Sequence, residues 1–189
     1  MNRLLLLLLL LLPFALGARQ TAHTPVPLRD ARQDSTSTPL PDAQFPPEVV
    51  SVTGEKIDVA KLAKERRIVV VTLKATWCQV CQRQLARIKK QLDQIKYCSV
   101  TFLVLAPGPA DELKAIQKRT GFPYPFIEDQ DLKIGQEMRL VLSEKDHELI
   151  PAIFILNPDR TVGWIQLGRN PISYGDAQLL AEIDCGDWI

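Results

Sequence analysis

The chain has 189 residues, of which 46% are hydrophobic and 24% charged, enough for one domain of ordinary size plus extras. Its formal net charge is +1 with both signs interspersed, which argues against an electrostatic surface for nucleic acid or acidic lipid. The four cysteines are one close pair, Cys78 and Cys81, and two distant singles, Cys98 and Cys185.

The amino end reads "MNRLLLLLLLLLPFALGA": one basic residue, a leucine run, a Pro-Phe break, then Ala15 and Gly17 in A-x-G arrangement. This is the pattern of a secretory signal, expected over residues 1–18 with cleavage near Gly17 or Ala18. The apolar run is shorter than the roughly 20 residues a span needs, so membrane attachment is expected only if the signal stays uncleaved. Losing residues 1–17 removes Arg3 and no acid, leaving 22 basic and 22 acidic residues. Export to an oxidising compartment is expected: the bacterial periplasm first, otherwise secretion or the ER lumen.

Residues 19–47 are rich in Pro, Ser, Thr and Gln, with hardly a large apolar side chain. Such a segment buries too little surface to offset the entropy of ordering, and it reads as a flexible linker. A folded domain is expected over residues 48–189. It opens with "VVSVTGEKIDVAKLA", where Gly54-Glu55 marks the turn of a β-hairpin. "RIVVVTLKA" (67–75) is a continuous β-branched run, as in a strand buried on both faces.

From Cys78 to Lys96 the period turns helical, with Cys81, Leu85, Ile88, Leu92 and Ile95 at three- and four-residue intervals. "SVTFLVLAP" is a second buried strand, and "PADELKAIQKRTG" a helix with Pro at its start and Gly at its end. A short extended piece, "YPFIED", precedes a weak helix, "QDLKIGQEM". A hairpin turning at Asn157-Pro-Asp-Arg and a closing helix, "SYGDAQLLAEID", complete the chain. Strand–helix–strand with short joins demands parallel pairing, and the terminal hairpin adds antiparallel strands. The expected class is α/β, a mixed sheet with helices on both faces and an N-terminal hairpin.

The Cys-x-x-Cys pair admits three readings. Zinc needs four ligands, and beyond this pair the chain has only His23, in the linker, and His147, in a polar loop. As a structural staple, a bridge closing so small a loop removes little unfolded-chain entropy. As a redox dithiol it is well placed. Cys78 follows a buried strand and opens a helix, where unpaired amides and the helix dipole favour a thiolate. Arg83 and Arg87 add positive charge or merely form a solvated face. Cys81 lies one turn further in, on the apolar stripe, shielded and suited to resolving a mixed disulfide. Trp77 is expected to cover the pair. A Cys-x-x-Cys at a strand-to-helix junction is a specific signal for a thioredoxin-like redox motif.

"ATWCQVCQ" resembles the A-T-W-C-x-x-C signature of the TlpA-like exported thiol–disulfide oxidoreductases, in the AhpC/TSA-redoxin branch of the thioredoxin superfamily. "IPAIFILNPDRTVGWIQLG" resembles the same family's P-x-x-F hairpin, and the resemblance covers residues 49–184. It implies a thioredoxin-like fold and thiol–disulfide exchange on exported proteins, with Cys78 as nucleophile and Cys81 resolving. It implies further that Pro151 is a cis proline facing the dithiol, framing a substrate groove with Trp77. No cofactor beyond the redox-active Cys78–Cys81 disulfide is implied. The expected partners are protein thiols or disulfides and an upstream redox protein, met by a monomer.

This chain departs from the family pattern at three places. Gln84 stands where TlpA-like reductases often carry a Glu, and Thr72 where thioredoxins place a buried Asp. The proton-transfer acid is therefore missing at both, with Glu128 and Asp129 as substitutes from another loop. Lys74 replaces an aromatic found in many relatives.

Two other readings stand beside exchange. The size and the "GRNPISYG" ending resemble the peroxiredoxin-like thiol peroxidases of the AhpC/TSA branch. Their P-x-x-x-(T/S)-x-x-C site would need Pro and a hydroxyl where Val71 and Ala75 stand. A non-enzymatic copper-delivery protein would use Cys78, Cys81 and a soft or imidazole ligand, for which His147, four residues before Pro151, is within reach. Cys98 and Cys185 are both expected at the sheet end remote from Cys78. A bridge between them would add about 4 kcal/mol in the loop-entropy model, provided their Cα atoms come within about 7 Å. Two separate cysteines remain the other reading.

Overall fold

The computed structural model describes residues 43–168 and 176–183. The expected leader, most of the linker, and Cys185 lie outside the described residues.

The β-branched run predicted to be doubly buried becomes strand β3 (Arg67–Thr72), whose residues 68–72 are all inaccessible to solvent. It pairs in parallel with β4 (Val100–Ala106), Arg67 opposite Val100 and Thr72 opposite Leu105. On its other side it pairs antiparallel with β8 (Ala152–Leu156), Thr72 opposite Ala152. β5 (Phe126–Glu128) extends the parallel side and β9 (Val162–Leu167) the antiparallel side, giving the order β5-β4-β3-β8-β9. This is the expected thioredoxin-like mixed sheet.

Alternation along the central strands divides the core into two layers. Val69, Val71, Phe102 and Val104 face helices α2 (Gln79–Gln91), α3 (Ala110–Thr120) and α5 (Asp176–Glu182). Ile68, Val70, Leu103 and Leu105 face α1 (Val59–Glu65) and α4 (Lys133–Glu137). The N-terminal hairpin is β1 (Glu48–Val50) with β2 (Lys56–Asp58), antiparallel as expected. Gly121 ends α3 in the left-handed region (φ 62°), as its Gly signal indicated.

Three features differ from expectation. The segment after β2 is helix α1 rather than more hairpin, opened by Asp58, whose carboxylate accepts the Lys61 amide at 2.8 Å. The polar loop around His147 is a second hairpin, β6 (Val141–Ser143) with β7 (Glu148–Leu149). Phe45, assigned to the linker, is packed: it is fully buried, donates its amide to the Arg160 carbonyl and meets the Phe154 ring at a tilt of 57° with centroids 6.3 Å apart. One aromatic amid prolines was too sparse a pattern to mark a core residue.

Candidate active site

Parallel pairing sends β3 and β4 toward the same end of the sheet, and the turn after β3 carries the cysteine pair to the mouth of α2. Cys78 is the N-cap of that helix, and its sulfur accepts the Cys81 amide at 3.2 Å. A sulfur here meets one of the orphan amides of the first turn and the positive end of the helix dipole. The two residues are disulfide-bonded, with Sγ–Sγ 2.11 Å and Cα–Cα 5.4 Å. Cys78 retains 7% of its surface and Cys81 none, so attack from outside reaches Cys78 first.

Thr76 and Trp77 form the approach to Cys78. Gly108, at φ 128°, lies so near that a Cβ there would fall 2.6 Å from Thr76 Cγ2, so the loop after β4 requires glycine. The Gln82 side chain donates to the Thr76 carbonyl at 2.8 Å and accepts from Arg119 at 3.0 Å, tying the approach to α3. Trp77 is 61% exposed and stands out from the surface beside Cys78 rather than lying buried over the pair. Arg83 and Arg87 are on the exposed face of α2.

Pro151 is buried just before β8, and the Thr72–Ala152 register puts it at the dithiol end of β3. Its carbonyl accepts the Gly168 amide at 2.6 Å. Thr72 holds both of its neighbours. The hydroxyl donates to the Ile150 carbonyl at 2.7 Å and accepts the Ala152 amide at 2.6 Å. The residue standing where an acid was expected is thus a neutral clamp on the proline loop.

The two acids considered as substitutes are placed differently from one another. Asp129 is buried, but its two oxygens accept the Ile134 and Gly135 amides at 2.9 and 2.8 Å, capping α4. Burial raises its pKa above the ordinary carboxylate value, against the lowering effect of those two amides. Glu128 is exposed. Gln84 is buried one turn beyond Cys81, and its Oε1 finds no hydrogen-bond partner among the described residues.

Sequence reasoning missed a charged group beside the dithiol. Lys74 donates its amide to Cys81 Sγ at 3.4 Å, and its carbonyl accepts the Leu149 amide at 3.0 Å. Its ammonium lies 3.1 Å from Glu148 Oε2 and 4.9 Å from the Trp77 ring centroid. The substitution of Lys74 was visible in the sequence; its partner, on a hairpin read as loop, was not.

The copper arrangement is not assembled. His147 Nδ1 lies 3.3 Å from the Gln130 carbonyl, and among the described residues no group of three or more His, Cys, Asp or Glu is placed to hold a metal. Cys98 precedes β4 at the sheet end opposite the dithiol and is itself disulfide-bonded; Cys185, the other end of the expected bridge, lies outside the described residues.

A model of the AhpC/TSA family matches residues 36–165 of the chain. Among solved structures, the fold is similar to peroxidoxin BcpB from Mycobacterium tuberculosis, at TM-score 0.64 and 12% identity over 75% of this chain and 96% of that one. Peroxiredoxin Q from Xanthomonas campestris matches at TM-score 0.63 and 14% identity, over 75% and 92%. A secreted disulfide oxidoreductase of Mycobacterium tuberculosis, homologous to E. coli DsbE, matches at TM-score 0.54 and 17% identity, over 74% and 93%. Among curated proteins none matches by sequence.

Proposed function

Because the chain belongs to the AhpC/TSA family, we propose that it is a thiol–disulfide oxidoreductase of TlpA-like type, acting on exported proteins through Cys78 and Cys81. The observation that carries this reading is the Cys78 sulfur at the N-cap of α2, accepting the Cys81 amide, with Cys81 buried behind it. In the reduced state the same amide and helix end favour a Cys78 thiolate over the thiol.

In the reductive direction the Cys78 thiolate attacks one sulfur of a substrate disulfide. A mixed disulfide forms, and the other substrate sulfur leaves as a thiolate that takes up a proton. Cys81 then gives up its proton and attacks Cys78 Sγ, the second substrate thiol departs, and the enzyme is left with the Cys78–Cys81 disulfide. Two electrons pass to the substrate, and a dithiol protein upstream returns them. The oxidative direction is the same sequence reversed, and the pair's potential against its partners selects between them. Trp77 offers an exposed aromatic surface beside Cys78, and the β3–β8 register sets the Pro151 loop at the same end of the sheet. The leucine-rich leader supports export, with the bacterial periplasm as the compartment.

A thiol peroxidase is the second reading, favoured by the family and by the likeness to peroxiredoxin Q. Against it, the two positions that would frame a peroxide hold Val71, fully buried in β3, and Ala75, neither with a polar side chain. Serine at position 81 separates the readings. Exchange predicts that Cys81→Ser accumulates mixed disulfides with proteins of its compartment and that wild type turns over hydrogen peroxide slowly. Fast peroxide turnover with no trapped partner would select the peroxidase.

A further inference from the structure

The half-buried ion pair beside the dithiol has no place in the exchange cycle described above. Lys74 sits in the turn between β3 and α2, fixed at both backbone ends: its amide points at Cys81 Sγ and its carbonyl accepts the Leu149 amide of β7. Glu148, the residue before Leu149, is therefore delivered to the lysine by the β6–β7 hairpin. The two side chains meet at 3.1 Å with only 29% and 13% of their surfaces exposed, so solvent and salt screen them less than an exposed pair. The ammonium also lies over the ring of Trp77, immediately before Cys78.

We propose that Glu148 is a positioning residue that holds and partly neutralises the Lys74 ammonium, and that this pair sets how strongly the dithiol retains its electrons. The inference deepens the exchange reading and takes its functional meaning from it. Oxidation of the dithiol to the disulfide removes two electrons and releases the protons of its thiol forms. A net positive charge beside the sulfurs stabilises a thiolate, hence the reduced state, and makes the pair more oxidising. A net negative charge does the reverse. With both partners present the field at the sulfurs is balanced, and the hairpin is the device that balances it.

Among the other titratable groups near this end, Arg119 of α3 donates to the Gln82 side chain that holds the Thr76 carbonyl. Arg83 and Arg87 on α2 are exposed, Glu128 after β5 is exposed, and Asp129 is bound to the amides of α4. His147 in the β6–β7 turn meets the Gln130 carbonyl.

The test is a charge cycle read on the full-length protein's own dithiol. The reduction potential is measured by equilibration in glutathione buffers, and thiolate formation by the pH profile of iodoacetamide alkylation at Cys78. E148Q is expected to raise the potential and move the alkylation midpoint to lower pH, speeding alkylation several-fold in mildly acidic buffer. K74M is expected to shift both the other way, and K74M/E148Q to return them toward wild type. Single variants that leave both readouts unmoved, or shift them in the same direction as loosened packing would, overturn the proposal. Neither readout uses a protein substrate. Opposite shifts in a protein that exchanges with no protein disulfide would keep the charge pair and reject the exchange reading.

Discussion

The Thr72 hydroxyl accepts the Ala152 amide at 2.6 Å and donates to the Ile150 carbonyl at 2.7 Å, so one side chain grips both residues flanking Pro151. Thr72 is completely buried. Valine at this position keeps the shape and removes both bonds, leaving buried polar groups short of partners. Thr72→Val is expected to cost about 1–3 kcal/mol, read from urea midpoints, with Thr72→Ser close to wild type. The same variant is expected to raise KM for peptide disulfides more than it lowers kcat, because it loosens the groove and leaves the sulfurs in place.

Asp129 gives the fold a pH dependence of definite sign. Its folded pKa is raised by burial, so its contribution is fully present below the ordinary carboxylate value and is lost as pH rises through the folded value. Relative to Asp129→Asn, which does not titrate there, wild type is expected to be most favoured in acid. That advantage shrinks as pH climbs above about 4. Urea midpoints of the two proteins across that range check it; a difference that grows with pH would contradict it.

The second disulfide is open to direct counting. Cys98 is bonded, and Cys185 is the remaining cysteine of the chain. The oxidised protein, unfolded in denaturant, is expected to react with no thiol reagent at all, and Cys98→Ser to expose one thiol. Two free thiols in wild type would rule out the bridge.

What could be read from sequence depended on range. The buried run of β3 and the helical stripe Cys81–Leu85–Ile88 carry their own periodicity, so the sheet and the dithiol helix were legible. Helix α1 has only seven residues, and its Asp58 cap resembled a hairpin continuing. β6 and β7 total five residues around a polar turn, too few for alternation to register. Within the site, Cys78, Cys81 and Pro151 announce themselves by motif. Thr72 was noticed only as a missing acid, because the groups its hydroxyl binds belong to Ile150 and Ala152, far along the chain. The Lys74–Glu148 pair was hidden for the same reason: residues this distant in sequence meet only through the antiparallel return of the chain.

In the exchange reading the Cys78 sulfur carries the chemistry. The most direct measurement is the rate at which full-length protein reduces the disulfides of a model protein such as insulin, wild type against Cys78→Ser, with a dithiol reductant supplied. Wild type is expected to accelerate the reaction and Cys78→Ser to fall to the uncatalysed background while keeping a wild-type far-ultraviolet circular dichroism spectrum. A Cys78→Ser protein that retains the wild-type rate would contradict the account.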